Sequence, residues 1–195
     1  MTAEPAVVFL ARHGQTELNA AGVLRGRLDP PLDQLGRRQA AALARTFEGI
    51  HLALVVSSPL RRAIQTAEPI RQITGAELVH DERLADRDYG PWAGRALDEL
   101  LDRHNNIDQA PGIETRLAVA QRVVSAFNDA VAAAAGDPVM LVAHDAVNRI
   151  LLGPDGLHLV SDTDGLQPLG CWNRLERYGD TWAATVIGSQ PDIGT

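Results

Sequence analysis

The sequence predicts an α/β protein: a three-layer α/β/α sandwich with a mostly parallel central sheet and a short helical lid. Three observations lead there. Uninterrupted apolar runs recur at 7–11, 52–57 and 139–143, and strands that are apolar throughout are strands covered on both faces. Each run is followed by a stretch with helical spacing, the alternation of a β-α-β chain. Two later runs, 171–177 and 182–187, flank the turn-forming Tyr178-Gly179-Asp180 and read as a hairpin. At 195 residues the expectation is a single domain, 1–195, with a small lid insertion around 95–112.

The elements follow in order. The first run is β-branched and aromatic, too short for a buried helix, and stops at Arg12-His13-Gly14. A glycine-punctuated loop follows, and Pro30 and Pro31 exclude a helix from it. Asp33 reads as a helix N-cap, with Leu35, Ala42, Leu43, Thr46 and Phe47 on one face and Gly49 as the stop. After the second strand, Ser58-Pro59 reads as cap and first helical residue, and Pro69 should kink or split that helix. Arg61 and Arg62 lie in its first turn, where the helix dipole disfavours cations, which suggests an anion nearby. Residues 77–80 suggest a third strand. The charged, aromatic stretch 81–94 has no clean period and reads as a packed loop, followed by a short helix at 95–104 and a loop at 105–112. The clearest helix spans 113–135, with Ile113, Leu117, Ala120, Val124, Phe127, Val131 and Ala134 as its apolar stripe. A fourth strand ends at His144 and leads into a short helix through Leu152. The last eight residues read as a loose tail.

Composition narrows the function. The formal net charge is −7 and all 18 basic residues are arginine. An acidic chain argues against a nucleic-acid or anionic-membrane binder and leaves room for a local basic pocket. One cysteine, Cys171, excludes an intramolecular disulfide and a cysteine-based zinc site. No signal-peptide pattern and no run of about 20 apolar residues is present, so the expected setting is cytoplasmic. A homodimer is compatible with the sequence.

Three strand-to-helix junctions carry Arg12-His13, Arg62 and His144, and in a doubly wound sheet such junctions share one edge. Two arginines and two histidines there would form a cationic pocket suited to phosphate oxygens. A histidine held between cations loses proton affinity and becomes a neutral nucleophile.

These residues carry a resemblance. Arg12-His13-Gly14-Gln15-Thr16-Glu17-Leu18-Asn19 resembles the RHG-x-T-x-x-N signature of the histidine phosphatase superfamily, also called phosphoglycerate mutase-like. Leu28-Asp29-Pro30-Pro31-Leu32 with Gly36, Ser57 to Ala63 with Gln65-Thr66-Ala67, Leu84 to Gly94, and Val142-Ala143-His144 follow in the family's order. The resemblance implies a phosphomonoesterase acting on a small phosphorylated substrate, with no metal or other cofactor. His13 would become a phosphohistidine. Arg12, Arg62 and His144 would hold the phosphoryl oxygens, with Asn19 and Gln15 as further donors. A carboxylic acid would serve the leaving group.

Two departures stand out. Relatives carry glutamate in the acid loop as L-x-E, whereas this chain has Leu84-Ala85-Asp86, one methylene shorter. Asp86 is the expected acid, with Asp88 and Glu82 as substitutes. Asp145 stands where many relatives have glycine, and the expectation is that it caps the following helix and points away; otherwise it would repel or select among substrates. Residues 111–115 resemble the family's P-x-GGES stretch with Ile113 replacing a glycine. His51, His80, His104 and His158 are expected to be surface or structural. Trp92 is either a pocket-mouth residue or a packed aromatic.

The short lid and the lack of a long C-terminal extension favour hydrolysis over a cofactor-dependent phosphoglycerate mutase. The same pocket residues would also suit a phosphoprotein (phosphohistidine) phosphatase or an inactive phospholigand-binding protein. Specificity would lie in the loop 23–31, the lid and Trp92. Phosphorylated sugars, phosphoglycerate derivatives and the 5′-phosphate of a cobalamin precursor are the candidate substrates.

Overall fold

The computed structural model describes residues 6–157, 159 and 167–194. Six strands form one sheet: β1 (Val7–Arg12), β2 (Leu54–Ser57), β3 (Glu77–His80), β4 (Val139–Ala143), β5 (Trp172–Tyr178) and β6 (Thr181–Ser189). Their spatial order is β3-β2-β4-β1-β5-β6. The first four strands pair in parallel, while β5 runs antiparallel to both β1 and β6. The hairpin turns at Gly179, whose φ of 62° lies in the left-handed region that glycine adopts without strain.

Pleating explains the apolar runs. Val8 and Leu10 of β1, with Val139, Leu141 and Ala143 of β4, enter one core shared with α5 (Arg116–Ala133) and α6 (Asp145–Leu152). The alternate residues Phe9, Ala11, Met140 and Val142 enter a second core shared with α2 (Gln34–Thr46) and α3 (Arg61–Thr74). Both faces are therefore covered, which gives three layers. A four-residue helix α1 (Glu17–Ala20) and α4 (Leu97–His104) complete the helices. A third, smaller core gathers Leu24, Tyr89, Trp92, Leu100 and Ala110 around the loops. Trp92 belongs to it as a packed aromatic, its indole N–H donating to the Pro111 carbonyl at 3.2 Å. No described helix is long and apolar enough to cross a membrane.

The structure corrects several local expectations. Ser58 does not cap α3; the helix begins at Arg61 after Leu60, and the Ser58 hydroxyl accepts from the Leu60 N–H at 3.3 Å while also meeting His144. Pro69 does not split α3, which runs unbroken to Thr74. Ala63, Ala67 and Ile70 anchor it in the core, which offsets the missing N–H. On α2, Thr46 is exposed, and the buried face includes Gly36, Gln39, Ala40, Leu43 and Ala44. On α5 the buried set is Val119, Ala120, Val123, Ala126, Phe127 and Ala130, while Leu117 is 65% exposed. Alanine lets the helix approach the sheet closely, so small side chains define that face rather than large ones. The C-terminal segment is fastened, since Arg38 donates to the Ile193 and Gly194 carbonyls at 3.3 and 2.6 Å. His158 lies outside the described residues.

Candidate active site

β1, β4 and β2 are neighbours in the sheet, so the residues at their carboxyl ends meet. His13 extends the β1–β4 ladder by one bond, its N–H reaching the Ala143 carbonyl at 3.1 Å. Gly14 then turns the chain against Gly36 backbone to backbone. A Cβ on Gly14 would overlap the Gly36 carbonyl in α2, and one on Gly36 would overlap the Gln15 carbonyl. His144 follows β4 directly, and its ring lies 5.1 Å from that of His13. Arg62 enters from the first turn of α3. His13, Arg62 and His144 are fully buried, and Asp86 is 2% exposed.

The geometry fixes which nitrogen of His13 can react. Its Nδ1 lies 2.6 Å from the Gly14 carbonyl, an acceptor only, so Nδ1 carries the proton. Arg62 Nε donates to His13 Nε2 at 3.3 Å, which requires a lone pair there. Burial first, then the Arg62 and Arg12 charges, holds His13 well below the ordinary imidazole value. The ring is thus neutral with an unprotonated Nε2, the state of a nucleophile.

Arg62 is held at both ends. Its guanidinium donates to the Leu28 and Gly26 carbonyls at 2.7 and 3.0 Å and to Asp86 Oδ2 at 3.1 Å. Asp86 also accepts from the Arg87 N–H at 2.9 Å and lies 3.8 Å from His144 Nδ1. Burial raises the Asp86 carboxyl above its usual value, outweighing the opposing Arg62 charge. A carboxyl that keeps its proton beside a nucleophile can act as a general acid. Asp88 and Glu82 are exposed; Asp88 accepts from the Gly90 N–H instead. The anion expected near α3 is present as Asp29, which accepts from the Arg61 N–H at 2.6 Å, while the Arg61 side chain itself faces solvent.

His144 is oriented by Ser58, with Nε2 and Oγ 2.7 Å apart and both groups buried. Among the described residues its Nδ1 has no hydrogen-bond partner, nor do the buried Nε atoms of Arg12 and Arg25. Buried polar nitrogens are nearly always satisfied, so the unpartnered Arg12 Nε and His144 Nδ1, from the two segments that carry His13 and its neighbouring ring, suit an acceptor-rich anion.

Other expected residues are placed differently. Gln15 faces away, its amide donating to the N-cap Asp33 at 3.0 Å. Asn19 uses its oxygen in a capping box with Thr16, which leaves its Nδ2 as a donor. Asp145 does not point away from the site: it accepts from Arg12 at 3.3 Å and from Arg149 at 3.0 Å, and His144 is the N-cap of α6. Arg12 also donates to the Gln167 carbonyl. Cys171 is buried, which pushes its thiol up to about 12 and leaves it unreactive.

Three residues near the site are given no role there by the sequence: Ser58, which reads only as a helix cap, Arg25 and Arg122. Arg122 of α5 donates to the carbonyls of Arg83 and Ala85 at 2.6 Å each and of Asp86 at 3.2 Å, and pairs with Glu114 at 2.8 Å. Glu114 in turn accepts from the Asp88 N–H at 3.0 Å. The altered stretch 111–115 thus braces the acid loop. The one available signal is that Glu114 lies within that motif-like segment.

A family model described as histidine phosphatase superfamily (branch 1) matches residues 8–190. The chain belongs to the histidine phosphatase superfamily. Two Hydrogenobacter thermophilus proteins that carry the name phosphoserine phosphatase, one of them as a putative assignment, are 40% identical over 100 residues and 34% identical over 97. Those matches cover 51% and 50% of this chain and 49% and 46% of theirs, so the chain spans about half the length of these two relatives. Glucosyl-3-phosphoglycerate phosphatase of Mycolicibacterium vanbaalenii is 36% identical over 166 residues, covering 75% of this chain and 74% of that protein. Among solved structures, Bacillus stearothermophilus YhfR superposes with a TM-score of 0.85 at 27% identity, over 96% of this chain and 99% of that one. The matched range, 8–190, includes Arg12, His13, Arg62, Asp86 and His144.

Proposed function

We propose that this chain is a metal-independent phosphomonoesterase that hydrolyses small phosphate esters through a phosphohistidine. The carrying observation is an unprotonated His13 Nε2 held beside Arg62, with the His144 ring 5.1 Å from the His13 ring. The names of relatives, phosphoserine phosphatase and glucosyl-3-phosphoglycerate phosphatase, support the same reaction class.

The reaction runs in two steps. His13 Nε2 attacks phosphorus and the P–O bond to the leaving group breaks. Arg12, Arg62, the Nδ1 of His144 and the amide of Asn19 hold the non-bridging oxygens as charge spreads onto them. Asp86 gives its proton to the departing oxygen. Water then enters, Asp86 takes a proton from it, and the P–N bond breaks to release phosphate and restore His13. The segment around 95–112 acts as a short lid. The single buried cysteine suits a cytoplasmic setting.

The test is phosphate release from a panel of esters in excess chelator, for wild type and His13→Ala. Release that disappears in the variant, with a radioactive phosphoenzyme trapped on wild type only, supports the reading. Phosphate moved between positions of a phosphoglycerate with little free phosphate would assign a mutase. No release from any ester overturns the hydrolase reading.

A further inference from the structure

Arg12 is anchored through one nitrogen. Its Nη1 donates to Asp145 Oδ1 at 3.3 Å and to the Gln167 carbonyl. Its Nε is buried, and neither Nε nor Nη2 makes a hydrogen bond among the described residues. Nε–H and the neighbouring Nη2–H form the side edge with which a guanidinium grips two oxygens at once. The two anchors leave that edge for phosphoryl oxygens. Both anchors are themselves fixed. The Gln167 and Asn173 amides bond each other reciprocally at 2.9 Å, Asn148 adds a bond to Gln167 at 3.2 Å, and all three residues are buried. Asn173 also donates to the Leu10 carbonyl of β1 at 2.8 Å. Asp145 is gripped from its own helix by Arg149, whose Nε lies 3.1 Å from Oδ1 and 3.0 Å from Oδ2.

A carboxylate in this place has two opposite effects on a bound phosphate. Its charge repels the dianion, and its bond to Arg12 holds a cation ready for it. Repulsion is the weaker effect. Asp145 faces two guanidiniums, and its side chain is 32% exposed, so solvent and the arginines screen its field. Holding is the stronger. A free arginine gives up more rotamer freedom on being fixed than most side chains, and a tether made during folding removes that cost from ligand binding. Burial also works against the Arg12 charge, and Asp145 is the largest of the charges that sustain it.

We infer that Asp145 is a positioning residue that strengthens phosphate binding by holding the Arg12 guanidinium with its Nε–Nη2 edge ready for the phosphoryl oxygens. The inference deepens the phosphatase reading and rests on it. The test is the affinity of inorganic phosphate for wild type, Asp145→Ala and Asp145→Asn, by titration calorimetry, with melting curves to confirm folding. Calorimetry needs no turnover, so it is read separately from ester hydrolysis. By charge alone, removing a carboxylate beside a dianion should tighten phosphate. Positioning predicts the opposite sign. Asp145→Ala should bind phosphate roughly three- to tenfold more weakly, the loss expected when one long side chain must be ordered on binding. Asp145→Asn, which keeps an oxygen for Arg12, should lose less. KM for a small ester should rise in the same order. Phosphate bound by a folded Asp145→Ala as tightly as by wild type, or more tightly, overturns the inference and leaves the phosphatase reading standing. Wild type that binds phosphate in the expected order but hydrolyses no ester keeps the inference and removes only the hydrolase. Wild type that neither binds phosphate nor hydrolyses an ester removes both.

Discussion

Replacing Asp86 by asparagine tests the acid role most directly. The carboxyl group accepts two hydrogen bonds, from the Arg87 N–H at Oδ1 and from Arg62 at Oδ2. The amide has one oxygen, so one buried donor loses its acceptor, at about 1–3 kcal/mol of stability. The chemical effect is larger and selective. Positioned acids contribute roughly 10²–10⁴-fold, or about 3–5 kcal/mol of barrier, when the leaving oxygen needs a proton. An alkyl phosphate should therefore lose about that factor in kcat, while p-nitrophenyl phosphate, whose phenolate departs unprotonated, should lose less than about tenfold. The pH profile supplies a second check. Burial keeps the Asp86 proton to higher pH than an ordinary aspartate, so the wild-type rate on alkyl esters falls on the alkaline side as that proton leaves. Asp86→Asn should erase this limb. Steady-state kinetics on both esters across pH measures all three quantities. Equal losses on the two esters, with the alkaline limb intact, would falsify the assignment of Asp86 as the acid.

Three further outcomes follow from the same geometry. Ser58→Ala removes the 2.7 Å partner of His144 and should lower kcat/KM by roughly 5- to 150-fold, about 1–3 kcal/mol, with altered ¹⁵N shifts of the His144 ring; unchanged shifts would deny Ser58 its orienting role. Phe127→Ala should cost about 3–5 kcal/mol and Leu117→Ala less than about 0.5, measured by denaturant melts; similar costs would refute the observed face of α5. His13 and His144 are both held neutral well below 6.5, so as pH falls under that value the unfolded chain takes up protons that the folded one refuses. Stability should fall on acidification by up to about 1.4 kcal/mol per pH unit for each histidine. Asp86, raised above 3.8, acts in the opposite sense within its own window, but as one group against two. A melting temperature that rises from pH 7 to pH 5 would contradict this.

What is legible in the sequence is what is local. Apolar runs mark strands buried on both faces, and residues that end them must lie at one edge of the sheet. That is why Arg12, His13, Arg62 and His144 can be placed together without coordinates. Contributors that act across the fold leave no such trace. Ser58 looks like a helix cap because its local context fits one; its hydroxyl does accept the Leu60 N–H, and nothing local shows that it also meets His144. Arg25 lies in a loop whose course is set by contacts with residues about 70 positions away in sequence, such as Ala96 and Arg95. Asp145 reads as a cap from its helix alone, whereas the Arg12 charge, 133 residues earlier in the chain, turns it towards the site. The buried face of α5 differs from its large-residue stripe because size is not burial; the sheet accepts alanines there.

The Arg122 contacts carry a consequence for how distant mutations should read out. The nucleophile is mounted on the sheet, but the acid loop hangs by three carbonyls from a helix on one outer layer. A substitution that shifts that helix by a few tenths of an ångström would leave the attacking nitrogen in place and move only the proton donor. Damage beneath α5 would then register as greater dependence on leaving-group acidity, at sites far from the pocket and with KM preserved. Damage beneath α3, which carries Arg62, would slow every ester alike.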